Sequence, residues 1–512
     1  MTNVLQAVMN MSSRRMLPAT VYSGLHRMFP AAVSTCQQTR SLITSSNNET
    51  QSTSLFSQVL EAAQRHTCVP GGDRSGLIQM LPPSQKSLPP RRMRDSLLHA
   101  LIPIGRCPEE RLRYTSHIGG ARLGKLLQDM DHFAACVLYK HILNPLQKDP
   151  AGLSAHACVT ARMDHLHIRE KIRHDKDILL VGHVTWVGSS SAEIGVRMEQ
   201  EDEAGVMRHL CEARFVMVAR DAASGSRSAP INPLLVETPE EKYLFSQGEK
   251  NIAIRAKADQ DSLFKEPPSK EESNLIHKMF LSTIDHKARS FSARTKPDNS
   301  SWMTDSKLKS VMMCEPVHKN DYNKVFGGLI MEKCVDLAFT NTWVYTGAGP
   351  APVCAHVDDV VFLKAVEIGD LLYFHSQVVF THDNHVQTRV SAEVMDRKSQ
   401  KLKLTNVLQI TWDLPFEVPS VVPKSYHEAM AYLTGRRHYL ISLENQGLLE
   451  KGMAEVQVNE ASHYLPSWFC VDCDTAESWE QHDPQKTKLV QEDLFMDADM
   501  TKKIREREIG AM

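Results

Sequence analysis

The sequence predicts an α+β fold built from two copies of one unit, each with a long central helix wrapped by an antiparallel sheet. Three observations lead to this prediction. Similar segments recur in the same order in both halves, one central segment carries apolar residues at helical spacing, and the following segments alternate apolar with polar residues. A chain of 512 residues is long enough for two such units and further segments.

The repeat consists of four pairs of segments. They are Asp95-Ser96-Leu97-Leu98 with Asp305-Ser306-Lys307-Leu308, two helices led by Gly124 and Gly328, two strand blocks over 177–218 and 369–410, and two closing helices that begin at Thr238 and Ser425. A glycine follows each closing-helix cap after ten positions, at Gly248 and Gly435. No single pair is decisive, but four pairs in matching order indicate a tandem duplication.

Each element has a local signal. The first central helix places one apolar face at helical spacing with Leu127, Met130, Ala134, Val137 and Leu138. The strands alternate with period two, as in His183–Val187, Ile194–Met198 and Val386–Ala392. Thr238-Pro-Glu-Glu241 and Ser425-Tyr-His-Glu428 are capping boxes, in which a hydroxyl and a glutamate satisfy the first amides of a helix.

The N-terminal segment differs in composition from the rest of the chain. Residues 1–48 contain no Asp or Glu, and they include Arg14, Arg15, Arg27 and Arg40 among many Ser and Thr residues. This composition is typical of a mitochondrial transit peptide, and it predicts a mitochondrial protein, in the matrix. The alternative is a disordered basic tail.

The remaining boundaries follow from composition and from the repeat. The predicted segments are the transit peptide 1–48, a polar, Pro-rich leader 49–92, the first unit 93–255, a linker 256–300 with a short helix around Glu271–Phe280, the second unit 301–440, and an acidic C-terminal extension 441–512. Ordered structure is expected to begin near Asp95. The 11 scattered cysteines do not form a disulfide framework.

Composition and motifs also exclude several classes of function. With 59 basic and 61 acidic residues, the chain has no general positive field for nucleic acid, and no apolar run is long enough to span a membrane. Cys470-Val-Asp-Cys473 is a lone Cys pair without the second pair that a zinc site needs. Phosphate-binding loops, dinucleotide fingerprints and the Gly-x-Ser-x-Gly elbow of serine hydrolases are all missing from the sequence. The sequence therefore predicts no metal, no cofactor and no nucleic-acid partner.

Three motifs carry a resemblance to a known family. One runs from Lys319-Asn320 through Phe326-Gly327-Gly328 to Met331, the next from Phe362 to Gly369-Asp370-Leu371, and the third from Arg122-Leu123-Gly124 to Asp131. Together they resemble the mitochondrial double-hotdog acyl-CoA thioesterases, over roughly residues 95–435. The resemblance implies two tandem hotdog domains that hydrolyse acyl-CoA to a fatty acid and CoA.

The same resemblance implies where the site residues lie. In the family, one unit supplies an Asn and the other an acid seven positions after the second Gly of the central helix. Asp131 stands seven positions after Gly124, and Asn320 fills the Asn position of the second unit, which completes one composite site. Gly124, Gly327 and Gly328 are then expected to bring the backbone close to the substrate.

The second composite site departs from the pattern twice. The Asn position of the first unit falls near Ser116, and in the second unit the seventh residue after Gly328 is Val335, with Asp336 one further on. Asp336 has charged neighbours on its helix, which suits a solvated residue. It is retained as a second catalytic candidate, with a solvated acid as the alternative.

The proposed residues fit the chemistry of thioester hydrolysis. Asp131 can act as a general base or as a nucleophile, and partial burial at the edge of the apolar stripe is expected to raise its pKa. The amide of Asn320 can hydrogen-bond the thioester carbonyl or orient a water, and the helix that begins at Gly327-Gly328 favours negative charge. The ordinary alternatives are a surface acid, a turn residue and a tight helix entry.

Two other functions remain open at this point. The degenerate second site is compatible with a hotdog protein that binds acyl-CoA without hydrolysing it. A hotdog dehydratase would need a catalytic His in a context that neither His117 nor His318 has. The resemblance further implies an acyl-CoA substrate and a homo-oligomer.

Overall fold

The computed structural model describes residues 75–147 and 154–445, apart from residues 165, 226, 286, 288–289, 321–323 and 397–398. The predicted transit peptide, the first part of the leader, the chain beyond residue 445 and the Cys470/Cys473 pair lie outside the described residues.

Within the described ranges, helices alternate with blocks of strands. The helices are α1 (Pro108–Tyr114), α2 (Leu123–His141), α3 (Pro239–Gln260), α4 (Lys270–Ser282), α5 (Gly327–Tyr345) and α6 (Tyr426–Asn445). The strands are β1 (Arg91–Arg92), β2 (Leu98–Ile102), β3 (His156–Met163), β4 (Leu166–Ile168), β5 (Ile178–Val187), β6 (Ser191–Glu201), β7 (Met207–Asp221), β8 (Leu234–Leu235), β9 (Ser300–Trp302), β10 (Leu308–Met313), β11 (Val353–Val357), β12 (Val360–Phe362), β13 (Leu371–His382), β14 (His385–Met395), β15 (Leu402–Asp413) and β16 (Ser420–Val422).

Twelve of these strands form one antiparallel sheet that both units share. The order is β10-β13-β14-β15-β11-β4-β7-β6-β5-β2, and β12 and β3 pair with each other beside this path. The sheet of the first unit joins the sheet of the second where β4 pairs with β11 and β3 with β12. Each unit therefore contributes the same set of strands to the junction, as a tandem duplication predicts.

The two central helices, α2 and α5, pack on this sheet and against each other. The apolar residues predicted for the inner face of α2 are fully buried, and they include Leu127, Met130, Ala134, Val137 and Leu138. The strands behind them alternate as predicted, with Ile194, Val196 and Met198 of β6 in the core. This arrangement confirms the predicted α+β class with two tandem hotdog units.

Matched glycines allow α2 and α5 to cross closely. A Cβ added at Gly124 would lie 2.8 Å from the carbonyl oxygen of Glu332, and one at Gly328 would lie 2.9 Å from that of Gln128. Such distances are shorter than real Cβ contacts, so a larger residue at either glycine would push the helices apart.

The closing helices begin at the predicted capping boxes. Thr238 Oγ1 accepts a 3.2 Å hydrogen bond from the Glu241 amide, and Ser425 Oγ accepts a 3.4 Å bond from the Glu428 amide. Gly248 lets α3 approach Trp186, because a Cβ there would lie 2.5 Å from the Trp186 side chain. The local signals therefore identify these helix starts correctly.

Ordered structure begins earlier than Asp95, which differs from the expectation. Leu88 is buried, β1 pairs in parallel with β8, and the side-chain Nε2 of Gln85 donates a 2.6 Å hydrogen bond to the Gly188 carbonyl. A Pro-rich segment of this kind can pack in extended and 3₁₀ conformations without any periodic pattern, which is why its composition suggested only a leader.

The predicted linker contains α4, close to the expected short helix. This helix starts at a capping box formed by Ser269 and Glu272. Arg437 of α6 binds the Glu272 carboxylate at 2.7 Å, which ties the linker to the second closing helix.

Among the described helices, none combines the length and the apolar composition that a membrane span requires.

Candidate active site

Asp131 lies on α2 with its side chain completely buried. The hydroxyl of Thr160, on β3, donates a 2.6 Å hydrogen bond to Asp131 Oδ1. The other carboxyl oxygen, Oδ2, has no hydrogen-bond partner within normal distance among the described residues. A buried polar atom without a partner is costly, so such an atom points to a functional role.

Burial raises the pKa of the Asp131 carboxyl from its ordinary value to about 7. The Thr160 hydroxyl and the backbone amide of Gly328 act in the opposite direction and lower this pKa to a smaller extent, although the Gly328 amide faces the carboxyl without the geometry of a full hydrogen bond. Desolvation disfavours the charged carboxylate, which accounts for the direction of the net shift. A carboxyl that titrates near neutral pH is suited to accept a proton from water.

A second aspartate on α2 provides a contrast. Asp129 is also fully buried, but Lys125 Nζ lies 2.6 Å from its Oδ1 and Tyr114 Oη 2.5 Å from its Oδ2. Burial raises the pKa of Asp129 as well, and the Lys125 ammonium opposes this shift. Because each oxygen of Asp129 has a partner, this side chain stabilises the fold and leaves Asp131 as the acid available for chemistry.

The first turn of α5, from the second unit, faces the Asp131 carboxyl. A Cβ added at Gly327 would lie 3.5 Å from Asp131 Oδ2 and 2.8 Å from the ring of Phe362. The first amides of a helix have no partner inside the helix, and the helix dipole is positive at this end. The site therefore combines a carboxyl from one unit with amide donors from the other.

Asn320 lies in the loop that leads to α5. Its side-chain Oδ1 accepts a 3.1 Å hydrogen bond from the Lys324 backbone amide, and its backbone amide donates to the Lys324 carbonyl at 2.7 Å. These bonds give Asn320 the turn role that was its alternative interpretation. The described contacts do not bring Asn320 to Asp131, in contrast to Gly327.

Gly124 and Gly328 lie where the two central helices cross. The position that a side chain would occupy at each faces the opposite helix, and their approach to the substrate stays a prediction. Glycine is needed there because two helix backbones meet, and this requirement is independent of any ligand. Of the three glycines, Gly327 is the one whose Cβ position would lie beside the Asp131 carboxyl.

The second composite site has different residues at the positions of Asn320, Asp131 and Thr160. The Ser116 amide donates to the Gly120 carbonyl at 2.7 Å, which is the same loop bond that Asn320 makes, so Ser116 takes the Asn position. Val335 stands seven residues after Gly328 and is buried, where Asp131 stands after Gly124. Cys354 takes the position of Thr160, because it directly precedes the β-bulge of β11 and Thr160 directly precedes the β-bulge of β3.

Asp336 forms an ion pair between the two central helices. Arg122 Nη2 lies 2.9 Å from Asp336 Oδ2 and 3.0 Å from Glu332 Oε1. Burial raises the pKa of Asp336, and the Arg122 guanidinium opposes the shift. The expected solvated face is therefore wrong in part, because α2 covers it and supplies a cation to Asp336.

Sequence reasoning missed Thr160 and gave no role to Phe362 or His132. Thr160 lies in a strand of ordinary composition, and only the packing of β3 on α2 shows that its hydroxyl meets Asp131. Phe362 begins the second motif and His132 directly follows the third, so an aromatic ring at one end of each motif was the available signal.

Comparisons with known proteins identify relatives of this chain. The Thioesterase superfamily matches residues 124–207, from the start of α2 to the start of β7. The protein named acyl-coenzyme A thioesterase 9, mitochondrial, is 41% identical over 368 residues in Mus musculus, covering 72% of this chain and 82% of the mouse protein. Its Homo sapiens namesake is 41% identical over 370 residues, with the same coverage.

A plant protein extends the comparison. Acyl-coenzyme A thioesterase 4, mitochondrial, of Humulus lupulus is 30% identical over 381 residues, which cover 69% of this chain and 68% of the plant protein. The level of identity and the coverage confirm the resemblance found in the sequence. The chain belongs to the hotdog acyl-coenzyme A thioesterase family.

Proposed function

We propose that this chain hydrolyses acyl-CoA thioesters to a free acid and CoA at one composite site. Asp131 and Thr160 of the first unit and Asn320 and the start of α5 of the second unit form this site. The observation that carries the proposal is the Asp131 carboxyl, which is buried, has a pKa raised to about 7, and keeps one oxygen without a partner. Family membership supports the reaction class.

The proposed reaction begins with the ionised Asp131 carboxylate. Asp131 Oδ2 removes a proton from a water molecule while the water oxygen attacks the carbonyl carbon of the thioester. The carbonyl oxygen becomes negatively charged, and the positive end of the α5 dipole, with its first backbone amides, stabilises it. The carbon–sulfur bond then breaks, the acid is released, and the CoA thiolate takes the proton held by Asp131.

A direct attack by Asp131 on the thioester is the alternative route. It would form an acyl anhydride and release CoA before water takes part. Label found in Asp131 after one turnover in ¹⁸O-water would demonstrate the anhydride route. The general-base route places the label in the product acid at once, whereas water attack on the Asp131 carbonyl of the anhydride would place it in Asp131.

Asn320 is proposed as a polar group that orients the substrate carbonyl or the water. Its Oδ1 is engaged with the Lys324 amide, so the amide nitrogen is the end that would donate. Asn320→Asp keeps the acceptor and removes the donor, whereas Asn320→Ala removes both. Equal losses of kcat in the two variants, with the fold intact, would support the donor role.

We propose that the second composite site is inactive. The positions of Asp131, Thr160, Asn320 and Gly327 are taken there by Val335, Cys354, Ser116 and Leu123. Val335 cannot accept a proton, and the acid that follows it in the chain, Asp336, is paired with Arg122. One working site per chain follows from this comparison.

The direct test is thiol release from purified protein over a panel of acyl-CoA esters from acetyl to palmitoyl. Release of CoA that is lost in Asp131→Asn supports the proposal. Saturable binding of a thioether analogue of acyl-CoA, with no thiol release from any ester, would instead support the non-hydrolytic binding protein. The panel also measures the preferred acyl chain length.

Location and assembly complete the proposal. The relatives are named mitochondrial and residues 1–48 lack acids, which supports import into the mitochondrial matrix. Protease protection after import into isolated mitochondria, with and without rupture of the inner membrane, tests the compartment. We also propose a homo-oligomer, which light scattering of the purified chain tests.

A further inference from the structure

His132 directly follows Asp131 on α2, and its ring stacks on the ring of Phe326. The two ring centroids are 3.6 Å apart, with an angle of 18° between the planes. His132 Nδ1 lies 3.1 Å from the Gln128 carbonyl oxygen, so Nδ1–H donates to it and holds the ring in place. Phe326 directly precedes Gly327, so the stack joins the residue after the acid to the residue before the helix start.

Phe326 also contacts the first turn of α5. A Cβ added at Gly328 would lie 2.5 Å from Phe326 Cε1 and 2.9 Å from the Gln128 carbonyl oxygen. The same carbonyl thus receives the His132 hydrogen bond and borders Gly328. The two rings and Gly328 form one packed group between α2 and α5, beside the Asp131 carboxyl.

The other half of the molecule has a different pair in these positions. Arg122 lies two residues before Gly124, as Phe326 does before Gly328, and Asp336 lies eight residues after Gly328, as His132 does after Gly124. Arg122 and Asp336 form the 2.9 Å ion pair. A guanidinium or carboxylate beside Asp131 would shift its pKa strongly, whereas two neutral rings exclude water without adding charge. The aromatic pair therefore occurs in the half that has the unpartnered carboxyl oxygen.

We infer that His132 is a positioning residue of the thioesterase site. By stacking on Phe326, it holds the first turn of α5 against the Asp131 carboxyl and shields that carboxyl from bulk water. This inference rests on the proposed function. Burial lowers the pKa of His132 to about 3, with the nearby Lys125 acting in the same direction, so the ring is neutral at physiological pH and stacks without moving a proton.

The test compares His132→Ala and His132→Phe in the full chain. Both variants remove the imidazole, but Phe can still stack on Phe326. We expect His132→Ala to lower kcat about 10- to 100-fold, because small displacements at a reacting centre have effects of this size, while KM changes by less than about threefold. We expect His132→Phe to keep kcat within about threefold of the wild type.

The pH profile separates positioning from general stabilisation. Loss of the stack exposes Asp131 to bulk water, so the rise of kcat/KM with pH is expected to move to lower pH in His132→Ala and to stay in place in His132→Phe. His382→Ala is the matched control, because His382 stacks on Phe380 at 6.4 Å on β13, outside the site. Unfolding curves confirm that each variant folds.

Two results would overturn the inference. One is a His132→Ala variant with the kcat and pH profile of the wild type. The other is a His132→Phe variant as impaired as His132→Ala, which would show that the imidazole itself is required. An inactive wild-type chain would contradict the proposed function, whereas an active chain that tolerates His132→Ala would contradict only the positioning role.

Discussion

The hydroxyl of Thr160 donates a 2.6 Å hydrogen bond to Asp131 Oδ1, and Asp131 Oδ2 has no such partner among the described residues. One side chain thus orients the carboxyl, while the other oxygen stays available. The bond also stabilises the charged form of a group that burial would otherwise keep neutral. Thr160 therefore affects both the direction and the acidity of the proposed base.

Replacement of Asp131 tests the proposed base. We expect Asp131→Asn to lower kcat by roughly 10²- to 10⁴-fold, since it keeps the shape and removes proton acceptance. Asp336→Asn is the matched control and should retain kcat within about twofold, because Asp336 is an ion-pair partner. Thiol release at pH 8 measures both variants, and equal losses would contradict a single working site.

The acidity of Asp131 predicts the pH dependence of activity. The ionised form is the base, and the pKa of this carboxyl is raised to about 7, so kcat/KM should rise as pH increases through about 7. Thr160→Val removes the hydrogen bond that lowers this pKa, so the rise should move to higher pH. Thr160→Ser keeps a hydroxyl and should leave the profile in place. A profile that moves to lower pH in Thr160→Val would contradict this assignment.

The raised pKa of Asp131 also predicts that the free energy of unfolding depends on pH. The pKa is raised from 3.8 in the unfolded chain to about 7 in the fold, so the stability of the folded state falls as pH rises between these values. At pH 8 this cost is on the order of 4 kcal/mol. Asp131→Asn should therefore have a higher free energy of unfolding than the wild type at pH 8 and a small difference near pH 4. Denaturant unfolding at the two pH values measures this, and a gain that is equal at both would argue against it.

Gly327 tests the close approach of α5 to the carboxyl. The Cβ of Gly327→Ala would lie 2.8 Å from Phe362 and 3.5 Å from Asp131 Oδ2, so it must displace the ring or the helix start. We expect kcat to fall at least about tenfold. Gly349→Ala is the control, because no atom lies within 4 Å of its added Cβ. Steady-state kinetics would contradict the prediction if both variants matched the wild type.

The degeneration of the second site predicts the stoichiometry of binding. Leu123, Val335 and Cys354 replace Gly327, Asp131 and Thr160, so a thioether analogue of acyl-CoA should bind once per chain. Isothermal titration of the purified chain measures this ratio. Two equal sites per chain would show that the second groove still binds substrate.

Several features of the fold were predictable because they depend on local rules. Helical spacing places Leu127 and Met130 on one face of α2, and the capping box at Thr238 satisfies the first amides of α3. Asp131 was selected by its distance from Gly124 in the chain, as the family resemblance implies. Its burial was underestimated, because the second unit covers the side of α2 that the periodic pattern treats as an edge.

The sequence by itself determined the duplication, the fold class, the family and the position of the acid. Only the tertiary structure decided which groups surround that acid. Thr160 is 29 residues from Asp131, and Arg122 is 214 residues from Asp336. Spacing and caps act through neighbouring backbone groups, so the chain displays them locally. Desolvation and pairing depend on which distant segments fill the space around a side chain, and packing of the two units decides that.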